Sequence, residues 1–254
     1  MPRPLRLEAV TKSFGRIEAV HRVSLAIEAG ERHAILGPNG AGKTTLFNLV
    51  TGIHRLTSGR IFLFDREVSG LPVHRRAAMG LARTFQITNL FQALTVFENV
   101  LLASQAQEPF RYNFCKPVTR YTGLMYRVEG ILGEWDLQDK RDVLVSNLSY
   151  GEQRQLEVIM ALANKPRLLL LDEPTAGLSP SETTSMTQFI TRLDNSITIL
   201  LIEHDMDVVF SIAEKVTVMH FGHVIAHGSA EEIKGDPKVT SIYLGEQGVR
   251  DADG

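Results

Sequence analysis

Short apolar runs bounded by glycine turns open the chain. Leu5 to Val10, Val23 to Ile27 and Arg32 to Leu36 read as strands, with turn signals at Phe14-Gly15 and Ala29-Gly30. The period then changes: after a glycine loop beginning at Gly37, residues Leu46, Leu49 and Val50 recur at helical spacing until Gly52 stops the turn. From Leu71 to Asn147 the pattern is helical, with Thr95 and Glu98 at capping-box spacing and Phe97, Val100 and Leu101 on one face. A second capping box, Ser149 with Glu152, opens a helix whose stripe of Leu156, Ile159, Met160 and Ala163 ends at Asn164 and Pro166. Strand Leu168 to Asp172 is followed by a third box, Ser179-Pro180-Ser181-Glu182, with proline at the first helical position and a stripe of Met186, Phe189, Ile190 and Leu193. Strand Ile197 to Ile202, helix Met206 to Ala213 and strands near Val216 to Met219 and His223 to Ala226 complete the alternation. Such alternation predicts an α/β fold with a mostly parallel sheet covered on both faces, interrupted by a helical insert.

Composition narrows the function classes. At 254 residues and 44% hydrophobic content the chain holds one α/β catalytic core with an inserted subdomain. Its 27 basic and 29 acidic residues make no global field that would draw it to nucleic acid or anionic lipid. Cys115 is the single cysteine, so no internal disulfide forms and redox chemistry is not expected. The start MPRPLRLEAV lacks a signal-peptide stretch, and aliphatic runs such as Leu168 to Leu171 fall far short of a bilayer span. Any work at a membrane would leave the spanning to other chains.

The loop Gly37-Pro38-Asn39-Gly40-Ala41-Gly42-Lys43-Thr44 lies between a strand and a helix, the setting of a phosphate cradle. Its glycines let successive N–H groups turn inward at the positive end of the following helix. Lys43 supplies a cation to the β- and γ-phosphates of ATP, Thr44 a hydroxyl to Mg²⁺, and Thr45 a further donor. Asp172 ends a run of four leucines, where a P-loop ATPase holds the carboxylate that orients Mg²⁺. Glu173, next to it, can polarise the attacking water as general base. His204 follows the strand ITILLIE at the carboxyl edge of the sheet, where it can hold the γ-phosphate and the water in line. Gln86, in ARTFQ, sits between core and insert, with an amide able to reach Mg²⁺ or the water. Ser149, Gly151 and Glu152 begin a helix whose N-terminus is both capped and an outward anion site. Phe14 is a candidate to stack on adenine, with ordinary packing as its alternative.

Two other groupings carry less. His220, His223 and His227 flank a stretch that reads as strand, placing the last two about 13 Å apart, too far for one metal ion. Between Phe110 and Arg127 lie Arg111, Lys116 and Arg120 with Tyr112, Phe114, Tyr121 and Tyr126, which could suggest RNA stacking. A solvated surface is the simpler account, with docking to a membrane partner as a second option.

Together these motifs resemble those of the ATP-binding subunits of ABC transporters, over nearly the whole chain. The resemblance assigns Gly37 to Thr45 as the Walker A loop, Gln86 as the Q-loop and Leu148 to Gln153 as the signature. Asp172 and Glu173 become the Walker B pair, Ala176 to Ser179 the D-loop and His204 the switch histidine. The finer wording, ARTFQITNLFQALTVFENV, LSYGEQRQLEV, LLLLDEPTAGLSP, LIEHDM and YLGE, is similar to the subgroup serving bacterial branched-chain amino-acid importers, with urea importers close to it. Tyr150 stands where the commonest signature has Gly, and Ser179 where most D-loops have Asp. The resemblance implies an N-terminal antiparallel β subdomain and first part of the P-loop core over 1–86, a helical insert over 87–147, the rest of the core over 148–230 and a tail over 231–254. It further implies ATP and Mg²⁺ as cofactors and a head-to-tail dimer with a second copy or paralogue, in which Ser149 and Gly151 of one subunit close on the γ-phosphate held by the other. Two transmembrane permease subunits and, indirectly, an extracytoplasmic solute-binding protein are the expected partners, with no nucleic acid. Such a subunit lies peripherally on the cytoplasmic face of a bacterial inner membrane.

Overall fold

Ten strands and eight α-helices emerge from these patterns in a computed structural model that describes residues 2–84, 90–106, 108, 120–239 and 241. Strands β1 (Leu5–Phe14), β2 (Ile17–Ile27), β4 (Ser58–Leu63) and β5 (Arg66–Glu67) form an antiparallel sheet in the order β2-β1-β4-β5. The second sheet runs β10 (His223–Ser229), β9 (Lys215–His220), β3 (Arg32–Leu36), β8 (Thr198–Glu203), β7 (Leu168–Asp172), β6 (Leu81–Arg83). Its pairs are parallel except β10 on β9.

Every residue of β3, β7 and β8 is buried, which explains their near-continuous apolar runs. Alternate side chains serve opposite faces. Ile35, Leu170, Leu200 and Ile202 join α1 (Lys43–Thr51) and the antiparallel sheet in one cluster. Leu36, Leu169, Leu171 and Leu201 meet Met186, Ile190 and Val209 of α6 (Pro180–Thr191) and α7 (Met206–Ile212) in another. A third cluster packs α3 (Val96–Gln105) and α4 (Thr122–Glu134) against Leu156 of α5 (Tyr150–Leu162).

All three capping boxes form, at Thr95, Ser149 and Ser179, and Ser229 with Glu232 adds a fourth ahead of α8 (Ala230–Lys234). One stretch differs from its helical reading. Leu81–Arg83, after the short helix α2 (Val73–Ala78), is the edge strand beside β7. Three residues are too few to show a period, and pairing with Leu168 to Leu170 decides their conformation.

A buried arginine sets the far end of α1. Arg76 donates to the carbonyls of Leu49 at 2.7 Å, Val50 at 2.8 Å and Leu71 at 2.9 Å, satisfying the last turn of α1. Burial lowers its pKa to about 10. No helix among the described residues is long and apolar enough to cross a membrane.

Candidate functional site

The carboxyl ends of β3, β8 and β7 meet at one edge, since Leu36 lies opposite Glu203 and Asp172 opposite Ile202. From the first of these the chain enters the loop 37–42. A Cβ on Gly37 would stand 2.3 Å from the Met219 carbonyl oxygen, and one on Gly42 would stand 2.3 Å from that of Ala19. Gly42 also takes φ +98°, outside the range of ordinary residues. The loop is therefore pressed against β2 and β9, and the hairpin after β9 fastens it: Gly222 N–H donates to Ala41 O at 3.0 Å. The first intrahelical bond of α1 is Leu46 N–H to Gly42 O at 2.9 Å, so the amides ahead of it lie outside the helical ladder. Lys43 is buried, its ammonium donating to the carbonyls of Gly37 and, at 2.9 Å, Pro38. A close-packed loop, a helix start and an inward lysine fit a chain of phosphates.

Asp172 is buried at the end of β7. Its Oδ2 accepts from Arg83 Nη2 at 2.6 Å, while its Oδ1, also buried, has no hydrogen-bond partner among the described residues. A buried carboxylate oxygen left without a donor fits a divalent cation. Glu173 follows at φ +47°, its amide donating to Ile202 O at 2.9 Å. That backbone strain, of order 1–3 kcal/mol for a non-glycine residue, occurs where a turn must aim one side chain.

His204 is exposed at the end of β8, with Nδ1 3.7 Å from Oε2 of Glu203. The Glu203 side chain is fully buried, and burial pushes its carboxyl above the usual range. Glu203 Oε1 accepts from the Thr175 amide at 3.0 Å and hydroxyl at 2.6 Å, tying the base of His204 to the turn after Glu173. Glu203, Arg83 and Arg76 carry no local signal of their roles in the sequence. Buried charge is legible only once neighbouring strands are in place.

At the other helix start, Ser149 accepts from Glu152 N–H at 3.3 Å and Glu152 returns a bond to the Ser149 amide at 2.8 Å. The Gly151 amide donates to Glu182 Oε1 at 3.1 Å, and Tyr150 lies against Gly177 with its hydroxyl donating to Ala176 O at 3.5 Å. The two departures from the common motifs thus meet: Tyr150 packs on the segment that Ser179 closes. Among the described residues, the bonds of Ser149 and Gly151 run to their own helix and to Glu182, not to the loop 37–45.

Phe14 ends β1 partly exposed, with Lys12 Nζ 4.7 Å over its ring and His54 edge-on at 5.3 Å. Gln86 lies outside the described residues, as do all of residues 109–119. The histidines go separate ways: His223 tilts on His21 at 4.5 Å, whereas His227 bonds Thr217 at 2.9 Å and stacks on His33 at 5.6 Å. Arg127 pairs with Glu108 at 2.7 Å. A groove of about 950 Å³ separates α1, α2 and β6 from the ends of α3 and α5, lined by Ile53, Val73, Ala77, Ala106, Met160 and Ala161 among others.

Residues 20–176 match the family described as ABC transporter, and residues 223–249 the family described as Branched-chain amino acid ATP-binding cassette transporter. The chain belongs to the ABC transporter family and is one of its ATP-hydrolysing cassettes. It is 40% identical to LivG of Salmonella typhimurium, named a high-affinity branched-chain amino acid transport ATP-binding protein, over 97% of this chain and 100% of that one. BraF of Pseudomonas aeruginosa, named alike, is 39% identical with the same coverage. A nucleotide-free ATP-binding cassette from an ABC transporter superposes with TM-score 0.83 at 31% identity, covering 96% of this chain and 99% of that one. Another cassette, in its ADP conformation, gives TM-score 0.83 at 30% identity over the same shares.

Proposed function

We propose that this chain energises an importer of branched-chain amino acids by binding and hydrolysing Mg²⁺·ATP, bound peripherally through its partners to the cytoplasmic face of a bacterial inner membrane. The observation that carries this reading is the meeting, at one sheet edge, of the phosphate cradle 37–45 with an Asp172 oxygen that has no hydrogen-bond partner among the described residues, in a chain that aligns over 97% of its length with LivG and BraF. Loop amides, Lys43 and Thr45 would hold the phosphates, while Thr44, Asp172 and Gln86 would hold Mg²⁺, which when bound would supply charge compensation for the transferred phosphoryl group. Glu173 draws the proton from the attacking water and His204 keeps water and γ-phosphate aligned. Phe14 packs on adenine.

A second copy or paralogue completes the site with Ser149 and Gly151, whose bonds among the described residues run to their own helix and to Glu182 rather than to the cradle of their own chain. In the pair of cassettes, the groove beside β6 of each suits a short helical segment of one of the two permease subunits, which receive the closing motion. The solute meets an extracytoplasmic binding protein and never this subunit. The test is the ATPase rate of the chain reconstituted with its permease subunits. Stimulation by a binding protein loaded with leucine, isoleucine or valine supports the reading. Stimulation by a urea-loaded one instead would reassign the solute, and none by any solute would remove the importer role.

A further inference from the structure

We infer that Arg83 is a positioning residue for the metal site. Two of the groups expected to hold Mg²⁺ stand on different elements, Thr44 on α1 and Asp172 at the end of β7. Arg83 bridges those elements with the two arms of one guanidinium. Nη2 donates to Asp172 Oδ2 at 2.6 Å, and Nη1 donates to Asn48 Oδ1 at 2.6 Å and Thr51 Oγ1 at 3.4 Å. Asn48 and Thr51 follow Thr44 by four and seven positions and so share its face of the helix. The Arg83 Cζ lies 5.6 Å from the centre of the Phe47 ring, and the Arg83 side chain is only 7% exposed.

The arrangement has a directional consequence for the carboxylate. With Oδ2 held, Asp172 cannot rotate to present either oxygen at will, and Oδ1, without a hydrogen-bond partner among the described residues, is the one that would meet a cation. Carboxylates that serve metals are generally oriented by such outer partners, whose removal weakens metal binding roughly 10- to 100-fold. Lysine cannot replace Arg83 fully, since one ammonium lacks the planar fork that reaches both elements. The cradle of loop amides does not depend on this bridge, so phosphate binding without metal should survive its loss.

This inference rests on the Mg²⁺ reading above. The experiment measures the affinity of a fluorescent ADP analogue in EDTA and in saturating Mg²⁺ for the unsubstituted protein, Arg83→Ala, Arg83→Lys and Asn48→Ala. In Arg83→Ala the tightening produced by Mg²⁺ should shrink roughly tenfold, while the EDTA affinity stays within about twofold. Arg83→Lys should recover part of the loss, and Asn48→Ala should show a smaller loss of the same kind. If Arg83→Ala does not fold, the other two variants decide. Equal weakening in EDTA and in Mg²⁺ would mean that Arg83 only supports the fold, and an unchanged or larger Mg²⁺ effect would mean that it does not aim Asp172; either result overturns the inference. Should Mg²⁺ leave ADP affinity unaltered in the unsubstituted protein, the Mg²⁺ reading itself fails and the inference with it.

Discussion

Two helix starts in this molecule are built from opposite materials. At α1 the backbone is the instrument: glycines let it crowd against β2 and β9, no side chain caps it, and the helix end faces a loop of its own making. At α5 the side chains do the capping: Ser149 and Glu152 satisfy each other's amides, and Glu182 from the next helix takes the amide of Gly151. The first has the geometry that fits a phosphate. The second is internally satisfied, so whatever anion it meets must compete with a carboxylate already there. The difference teaches that one helix terminus can be a receptor and the other a latch within a single fold.

Five tests would break or sharpen that contrast. The largest effect belongs to the phosphate side, where removing a well-placed charge-stabilising group costs on the order of 10²- to 10³-fold in rate. Lys43→Ala and Glu173→Gln should each reduce turnover by that order, and Glu173→Gln should leave ATP-bound dimers visible by size-exclusion chromatography; undiminished hydrolysis would remove either assignment. Next, Gly42→Ala places a side chain at φ +98° and 2.3 Å from Ala19 O. A strain of about 1–3 kcal/mol should appear as weakened nucleotide binding, and calorimetry showing native affinity would mean the loop is softer than described.

On the latch side the effects are smaller. Glu182→Ala frees the Gly151 amide, so the ATP concentration giving half-maximal dimer in the Glu173→Gln background should fall several-fold while monomer nucleotide affinity holds. A rise instead would show that Glu182 supports the helix start rather than guarding it. Smallest is the capping box itself: Ser149→Ala should cost about 1 kcal/mol of stability. Glu152 also gives this region a pH signature. The hydrogen bond from Lys140, then those from Ser149, hold its carboxyl below the usual range. Its contribution is therefore present above the ordinary carboxylate pKa and lost as pH falls through the lowered folded value. Denaturation curves should show less acid-side loss of stability in Glu152→Gln than in the unsubstituted chain, and identical slopes would count against the assignment.

Much of this was legible from residues alone because the signals were local. A capping box is a four-residue affair, and Thr95, Ser149 and Ser179 cap the helices that their spacing foretells. The glycine loop between strand and helix, and the leucine run ending in Asp172, carry their chemistry in their order. The edge strand Leu81–Arg83 was hidden inside a helical-looking stretch, since nothing within three residues distinguishes it.

By itself, then, the order of residues determined which groups bear charge, which runs are buried on both faces and where helices begin, since those depend on near neighbours along the chain. Only the tertiary structure decided that Arg83 holds Asp172, that Glu203 braces the turn beyond Glu173 and that Tyr150 and Glu182 fasten one motif to another. Those pairs are separated by 26 to 89 positions. A buried ion pair or a borrowed amide costs too much desolvation to exist unless packing brings its partner, and that partner is chosen by which strands lie side by side.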